Sequence, residues 1–172
     1  MNEYNFEVLS PLRFEQFVRD LLADKYGNFE NFSEGKDGGI DFRYSLSDDE
    51  ILIVQCKRYK NVQNLISAIK KEVEKLNKLR FSKYILVVSL DLTEKNKESI
   101  LKLYNGKIQN SNQIITKGDL NFLLGLSSNH YIEFKYPELW MNSINIHQKI
   151  FQIYSSTLSL VPFLFALLHK KQ

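Results

Sequence analysis

The chain has 172 residues, of which 44% are hydrophobic and 25% are charged, a composition typical of one ordinary globular domain. Its single cysteine excludes an internal disulfide, and no stretch reaches the roughly 20 apolar residues that cross a bilayer. The N-terminus lacks the basic start and apolar stretch of a secretory signal, so we expect a cytoplasmic protein that does not bind membranes.

Charge is unevenly distributed along the chain, although the net charge is only +3. Residues 1–50 hold five Lys/Arg against twelve Asp/Glu, whereas residues 57–83 hold nine Lys/Arg against only Glu72 and Glu74. An acidic pocket beside a basic surface suits an enzyme that binds a cation inside and a polyanion around it. The alternative, which a charge run alone leaves equally open, is a solvated basic helix that contacts no ligand.

The first predicted helix covers residues 11 to about 26 and stops at Gly27. Ser10 is a typical N-cap, and the proline after it is favoured at the first helical position. Glu15 lies at the margin of the apolar face and leans toward whatever the helix packs on. Its alternative role is that of a solvated side chain or a partner of Arg19. The apolar face consists of Phe14, Phe17, Val18, Leu21 and Leu22.

A β-hairpin is predicted next. The glycine-rich turn at residues 35–39 leads into an alternating strand at residues 40–46. The polar residues 47–50 form the hairpin loop, and residues 51–57 form the second strand. The first four residues of this second strand are all apolar, which indicates that both faces of the sheet are covered.

Polar side chains gather where the two hairpin strands meet. Strand side chains alternate, so Gln55 and Lys57 share one face while Cys56 points to the other. The antiparallel return of the chain brings Asp41 beside them. A buried strand seldom ends in two polar residues on one face unless a polar partner is near.

The remaining pattern alternates helices and strands. A helical crossover favours parallel pairing of the strands that it joins, so we predict an α/β fold with a mixed central sheet flanked by helices. Beyond residue 126 the chain is rich in aromatic residues, and residues 127–172 are predicted to form a mostly helical extension that packs on the domain or leads toward a further module. The intervening elements are a helix from Val62 to about Lys78, a strand at 84–89, a helix at 94–104, a short strand at 113–115 and a helix from Lys117 to about Gly125.

The polar group on the hairpin can support metal-assisted hydrolysis of a phosphodiester. Mg²⁺ prefers oxygen ligands and usually takes one or two protein carboxylates, and we expect Mn²⁺ to substitute for it. Asp41 is the main candidate ligand, supported by the side-chain carbonyl of Gln55 and the backbone carbonyl of Cys56. Glu15 could complete the shell directly or through water, and Lys57 would orient the attacking water.

Each of these roles has a plain structural alternative. An aspartate after glycines is more often a turn residue, and a lysine at the end of a buried strand usually emerges into solvent. The coincidence of Asp41, Gln55 and Lys57 in one hairpin favours the functional interpretation.

The motifs resemble those of a known family. Residues 35–41 followed by residues 54–59 resemble the signature of Mrr-type restriction endonucleases in the PD-(D/E)xK superfamily, and residues 14–18 resemble their first helix, which carries an active-site glutamate. The resemblance implies a three-layer, restriction-endonuclease-like domain over residues 1–126 and an Mg²⁺-dependent DNA endonuclease. It further implies a catalytic trio with a supporting glutamate, namely Asp41, Gln55, Lys57 and Glu15.

Two positions depart from the superfamily formula. Ile40 replaces the proline that names it, which mainly affects the entry into the strand. Gln55 stands where many members carry an acid, and its neutral amide lowers the negative charge of the site. The Mrr branch is known for this glutamine, so the resemblance still implies activity. The substitution is also the best support for the alternative, a catalytically silent domain that binds nucleic acid or mediates assembly.

The start of the chain carries a second resemblance. Residues 10–12 are similar to the opening of the N-terminal nuclease domain of some antiviral STAND NTPases, which would make this chain the effector part of a larger defence protein. The expected partners are double-stranded DNA, a C-terminal STAND NTPase module and other copies of the chain. The DNA contacts are predicted to come from the basic segment, through Arg58, Lys60, Lys70 and Lys71.

Overall fold

The computed structural model describes residues 3–27, 30–31, 41–45, 47 and 50–141. A mixed five-stranded sheet has the strand order β1-β2-β3-β4-β5. Strands β1, β2 and β3 are antiparallel neighbours, while β3, β4 and β5 run parallel to one another. The strands are β1 (Glu30–Asn31), β2 (Phe42–Ser45), β3 (Ile51–Lys57), β4 (Lys83–Val88) and β5 (Ile114–Ile115).

Helices cover both faces of the sheet, as the predicted three-layer α/β architecture requires. One core cluster joins α1, α4 and α5 to side chains such as Val54 and Cys56, and the other joins α2 and α3 to side chains such as Ile53 and Leu86. The restriction-endonuclease-like fold class is thereby confirmed. The α-helices are α1 (Pro11–Tyr26), α2 (Val62–Glu72), α3 (Glu94–Tyr104), α4 (Lys117–Leu124) and α5 (His130–Lys135).

Helix α1 begins and ends where the sequence predicts. The Ser10 hydroxyl accepts a hydrogen bond from the Arg13 backbone N–H, which caps the first turn. Gly27 ends the helix with a φ of 88°, a backbone conformation that glycine adopts without steric cost. A side chain at this position would also press on the Tyr44 ring of β2, 3.1 Å from the expected Cβ.

The predicted helix over residues 62–78 is shorter than expected. The α-helix ends at Glu72, and residues Val73–Lys78 continue as a 3₁₀-helix. Val73 and Leu76 in this segment and Leu79 just after it are spaced by three, which matches the three residues per turn of a 3₁₀-helix and keeps them on the core.

Two strand predictions also need adjustment. The strand predicted at residues 113–115 is confined to Ile114–Ile115, because Gln113 belongs to a preceding 3₁₀-helix (Ser111–Gln113). Of the strand predicted at residues 40–46, Phe42–Ser45 forms a strand, and Asp41 lies in a bend just before it. The glycine-rich turn at 35–39, with Ile40 and Leu46, lies outside the described residues.

Helix α5 and the residue after it pack on α1. The Tyr136 ring meets the Phe17 ring edge-on at a centroid distance of 5.3 Å, and the Tyr136 hydroxyl donates to Asp20 Oδ2 over 2.6 Å. Arg13 lies over the same ring, 4.2 Å from its centroid, and donates to the backbone carbonyl of Lys135. We call these five residues the α1–α5 clamp. The predicted domain boundary at residue 126 stays a prediction, and residues 142–172 lie outside the described residues.

Candidate active site

The central strand β3 positions the predicted site. Its seven residues pair with β2 on one side and β4 on the other, and its middle five are buried. Gln55 and Lys57 both reach Glu72 on α2, whereas the Cys56 side chain belongs to the core cluster of α1. The predicted division of these side chains between the two faces is therefore confirmed.

Asp41 enters the site just before β2. The backbone N–H of Cys56 donates a hydrogen bond of 2.5 Å to Asp41 Oδ2, so the carboxylate is tied to the middle of β3. Burial raises the pKa of the Asp41 carboxyl to about 7, and the Cys56 hydrogen bond opposes this shift. Glu15 and Glu72 raise the same pKa further through their negative charge, while Lys57 lowers it. The charges of Glu15, Glu72 and Lys57 thus all act on Asp41.

Glu15 lies on α1, the helix predicted to carry it. The side chain is half-buried, and its negative charge acts on both Asp41 and Cys56. Burial is the main reason why the pKa of the Cys56 thiol lies well above its ordinary value, and the two carboxylates add to it. The thiol is therefore a small buried side chain and is unsuited to act as a nucleophile.

Gln55 is almost completely buried, with 2% of its surface exposed. Its Oε1 accepts hydrogen bonds from the hydroxyls of Tyr84, at 2.6 Å, and Tyr104, at 3.4 Å. Its Nε2 donates to Glu72 Oε2 over 3.3 Å. The carbonyl oxygen, which the sequence analysis assigned to a metal, thus lies among tyrosine hydroxyls.

Glu72 is the residue that the sequence analysis missed. Its Oε2 accepts a hydrogen bond from the Lys57 ammonium as well as from the Gln55 amide. The sequence carried one signal for it, because Glu72 and Glu74 are the only acids within the basic segment 57–83. An acid retained in such a segment indicates a fixed cationic partner, but the sequence alone does not identify that partner.

The donors around Asp41 suit a small divalent cation. The half-buried carboxylates of Glu15 and Glu72 add their negative charge to that of the half-buried Asp41, and a cation would relieve this repulsion. Within the described part of the chain, no three His, Cys, Asp or Glu side chains form a ready-made metal cluster. Mg²⁺ usually binds through one or two carboxylates and several waters, so such a cluster is not required.

The four residues predicted to contact DNA are placed differently from one another. Lys60, Lys70 and Lys71 are exposed to solvent. Arg58 is half-buried, and its Nη1 donates to the backbone carbonyl of Glu7 over 3.1 Å. Arg58 therefore also holds the N-terminal 3₁₀-helix (Phe6–Val8) against the end of β3.

Comparison with known proteins identifies the class. Residues 6–113 match the Mrr catalytic family, described as a restriction endonuclease, and this match covers more than half of the chain. The chain therefore belongs to the Mrr restriction endonuclease family, and membership implies a nuclease, a hydrolase of phosphodiester bonds.

One relative extends well beyond this chain. It is "Uncharacterized protein y4cD" of Sinorhizobium fredii (strain NBRC 101917 / NGR234), which is 32% identical over 158 residues. The alignment covers 86% of this chain but only 23% of the relative, so the chain spans about a quarter of that protein's length. Among the described residues, no helix is both long and apolar enough to cross a membrane.

Proposed function

We propose that the chain is an Mg²⁺-dependent DNA endonuclease domain, with Mn²⁺ able to replace Mg²⁺. The observation that carries the proposal is the half-buried Asp41 carboxyl, whose pKa is raised to about 7 under the influence of burial, Glu15 and Glu72 in a member of a restriction endonuclease family. Carboxylates whose negative charges repel one another, together with one ammonium, suit a metal-dependent hydrolase.

The residues divide the work as follows. Asp41 and Glu15 would hold the cation, assisted by the backbone carbonyl of Cys56. A bound Mg²⁺ would polarise a phosphate oxygen and lower the pKa of a coordinated water. The positive charge of Lys57 acts on Asp41, and its ammonium would orient the attacking water and meet the negative charge that develops on the phosphate.

Substrate binding is assigned to the exposed lysines near the site. Lys60, Lys70 and Lys71 would contact phosphates of double-stranded DNA, and Arg58 would add its remaining donors. Phosphate contacts of this kind position a duplex without reading its sequence.

The wider biological role follows from the longer relative and the STAND-like opening at residues 10–12. We propose a nuclease effector within a cytoplasmic antiviral protein, joined to a C-terminal NTPase module and acting as a homo-oligomer. The relative is more than four times as long as the segment aligned with this chain, which supports a longer, multidomain protein.

The decisive experiment uses supercoiled plasmid with Mg²⁺, Mn²⁺ or EDTA. We expect nicking and linearisation by the wild-type protein in either metal, none in EDTA, and none by Lys57→Ala. Lys95→Ala is the matched control, because Lys95 is exposed on α3 and outside the site. Equal cleavage by Lys57→Ala and wild type would reject the site.

One observation favours a second candidate, a catalytically silent domain that binds DNA or mediates assembly. The Gln55 carbonyl is held by Tyr84 and Tyr104 and is turned to the protein interior. In that case the wild-type protein would retard duplex DNA in a gel and leave it intact in every metal.

A further inference from the structure

A chain of hydrogen bonds runs from the buried core of the α2–α3 layer to the Lys57 ammonium. It begins at two tyrosine hydroxyls, passes through the Gln55 amide and the Glu72 carboxylate, and ends at Lys57. We propose that Gln55 and Glu72 are positioning residues for Lys57, with Gln55 acting through its amide N–H on Glu72 and not through its carbonyl on a metal. The proposal rests on the proposed nuclease function.

The amide orientation follows from the chemistry of its neighbours. An ionised carboxylate only accepts hydrogen bonds, so the NH₂ of Gln55 must face Glu72. The carbonyl oxygen then faces the hydroxyls of Tyr84 and Tyr104, which can donate. These two tyrosines are fully buried, and their rings lie 5.4 Å apart. The core thus fixes the amide in one orientation.

Glu72 in turn holds the Lys57 ammonium in one position. A lysine has a flexible four-carbon stem, and its ammonium remains mobile unless a partner holds it. Glu72 Oε2 accepts from the ammonium, and the Lys57 side chain is only 12% exposed. The same oxygen also accepts a hydrogen bond from the Gln55 amide. The Glu72 carboxylate therefore connects the buried Gln55 to the Lys57 ammonium.

The two possible roles of Gln55 predict opposite results for Gln55→Glu. If the side chain binds metal, an added negative charge strengthens binding of Mn²⁺. If it orients Glu72, the substitution places two carboxylates 3.3 Å apart and replaces a hydrogen bond by repulsion. Lys57 would then lose its fixed partner.

A charge exchange provides the test. In the double variant Gln55→Glu/Glu72→Gln, the introduced carboxylate can accept from both tyrosines and from the new amide at position 72. That amide retains a carbonyl oxygen for Lys57. Gln55→Glu and Glu72→Gln should each lower kcat by roughly tenfold or more with KM little changed, and the double variant should recover much of the loss. Glu74→Gln is the control, because Glu74 is exposed next to the network and should leave kcat unchanged.

Two readouts accompany cleavage of a labelled duplex. Isothermal titration with Mn²⁺ alone measures metal binding, and urea unfolding in metal-free buffer measures the coupling between positions 55 and 72. We expect no tightening of Mn²⁺ binding in Gln55→Glu, and a urea midpoint of the double variant above the value that the two single variants predict by addition. Tighter Mn²⁺ binding by Gln55→Glu, or wild-type kcat in Glu72→Gln, would overturn the proposal.

The same data separate this proposal from the proposed function. A wild-type protein that cuts no DNA in any metal would reject the nuclease function, and the positioning role would be rejected with it, even if the urea midpoints show coupling. A wild-type protein that cuts DNA while the two positions behave additively in both assays would reject the positioning role alone.

Discussion

The backbone N–H of Cys56 donates its hydrogen bond to the side chain of Asp41, over 2.5 Å. A backbone N–H of the central strand β3 thus donates to the carboxylate that stands just before β2. The bond favours the ionised carboxyl, but burial outweighs it and raises the pKa of Asp41 to about 7. The ionised form of the Asp41 carboxyl is therefore less favourable in the folded protein than in the unfolded chain.

The first prediction concerns stability and Asp41. A carboxyl whose pKa is raised on folding contributes stability below its unfolded value near 4, and this contribution is lost as the pH rises to about 7. Asp41→Asn should therefore raise the free energy of unfolding at pH 8 by about 1–2 kcal/mol, while abolishing cleavage. Urea unfolding at pH 8 and pH 4 measures the effect, which should vanish at the lower pH.

Asp24→Asn is the control for this prediction, because Asp24 is an exposed aspartate on α1. It should not raise the free energy of unfolding at pH 8. A loss of stability in Asp41→Asn at pH 8 would contradict the prediction.

The second prediction concerns metal and stability. A ligand that binds only the folded protein stabilises it by about 2.7 kcal/mol at one hundred times its Kd. Saturating Mg²⁺ should therefore raise the Tm of the wild-type protein, and this shift should be absent in Asp41→Asn. Differential scanning calorimetry with Mg²⁺ and with EDTA measures it; an equal shift in both proteins would place the metal elsewhere.

The third prediction concerns DNA affinity and the exposed lysines of α2. If Lys70 and Lys71 each contact a phosphate, removing both should weaken binding to any duplex and reduce the slope of log K against log salt by about 2. Fluorescence anisotropy over a salt series, in EDTA to prevent cleavage, measures the slope of Lys70→Gln/Lys71→Gln. The double variant Lys95→Gln/Lys102→Gln on α3 carries the same change in charge and should retain the wild-type slope.

The fourth prediction concerns the α1–α5 clamp. Tyr136→Phe removes the hydroxyl that donates to Asp20, and should lower the free energy of unfolding by about 1 kcal/mol. Tyr131→Phe removes a hydroxyl from a ring that is 50% exposed and should leave the stability unchanged. Urea unfolding of both variants measures the difference; equal stability would show that the clamp hydrogen bond adds nothing.

The clamp also predicts a response to acid. Burial alone would raise the pKa of Asp20, but hydrogen bonds from Lys135, Tyr136 and Arg19 hold it below its ordinary value. A lowered pKa contributes stability above pH 4 that is lost as the pH falls. Asp20→Asn should therefore lose less stability than wild type between pH 5 and pH 3.

The sequence predicted elements whose signals are local. The cap at Ser10 and the glycine at 27 marked both ends of α1, and alternation along β3 put Gln55 and Lys57 on one face. Local signals could not predict Glu72, because its partners are 15 and 17 residues away and meet it only after the crossover packs. They also could not predict which side of the Gln55 amide faces the tyrosines.

The 3₁₀ continuation of α2 illustrates a different limit. The apolar residues Val73, Leu76 and Leu79 are too few to distinguish an α-helix from a 3₁₀-helix, and packing against the core selects the tighter helix after Glu72. Strand β1 is two residues long, too short for periodicity to detect.

Helix α1 serves two neighbours at once. The charge of Glu15 acts on Asp41, and Phe17 and Asp20 contact the ring and the hydroxyl of Tyr136. A chain cut after residue 126 would lose Tyr136 and its contacts with Phe17 and Asp20. Helix α1, which carries Glu15, would then be packed less firmly. We therefore expect truncation at that point to lower both the rate of cleavage and the solubility, although every residue of the Mrr motif is still present.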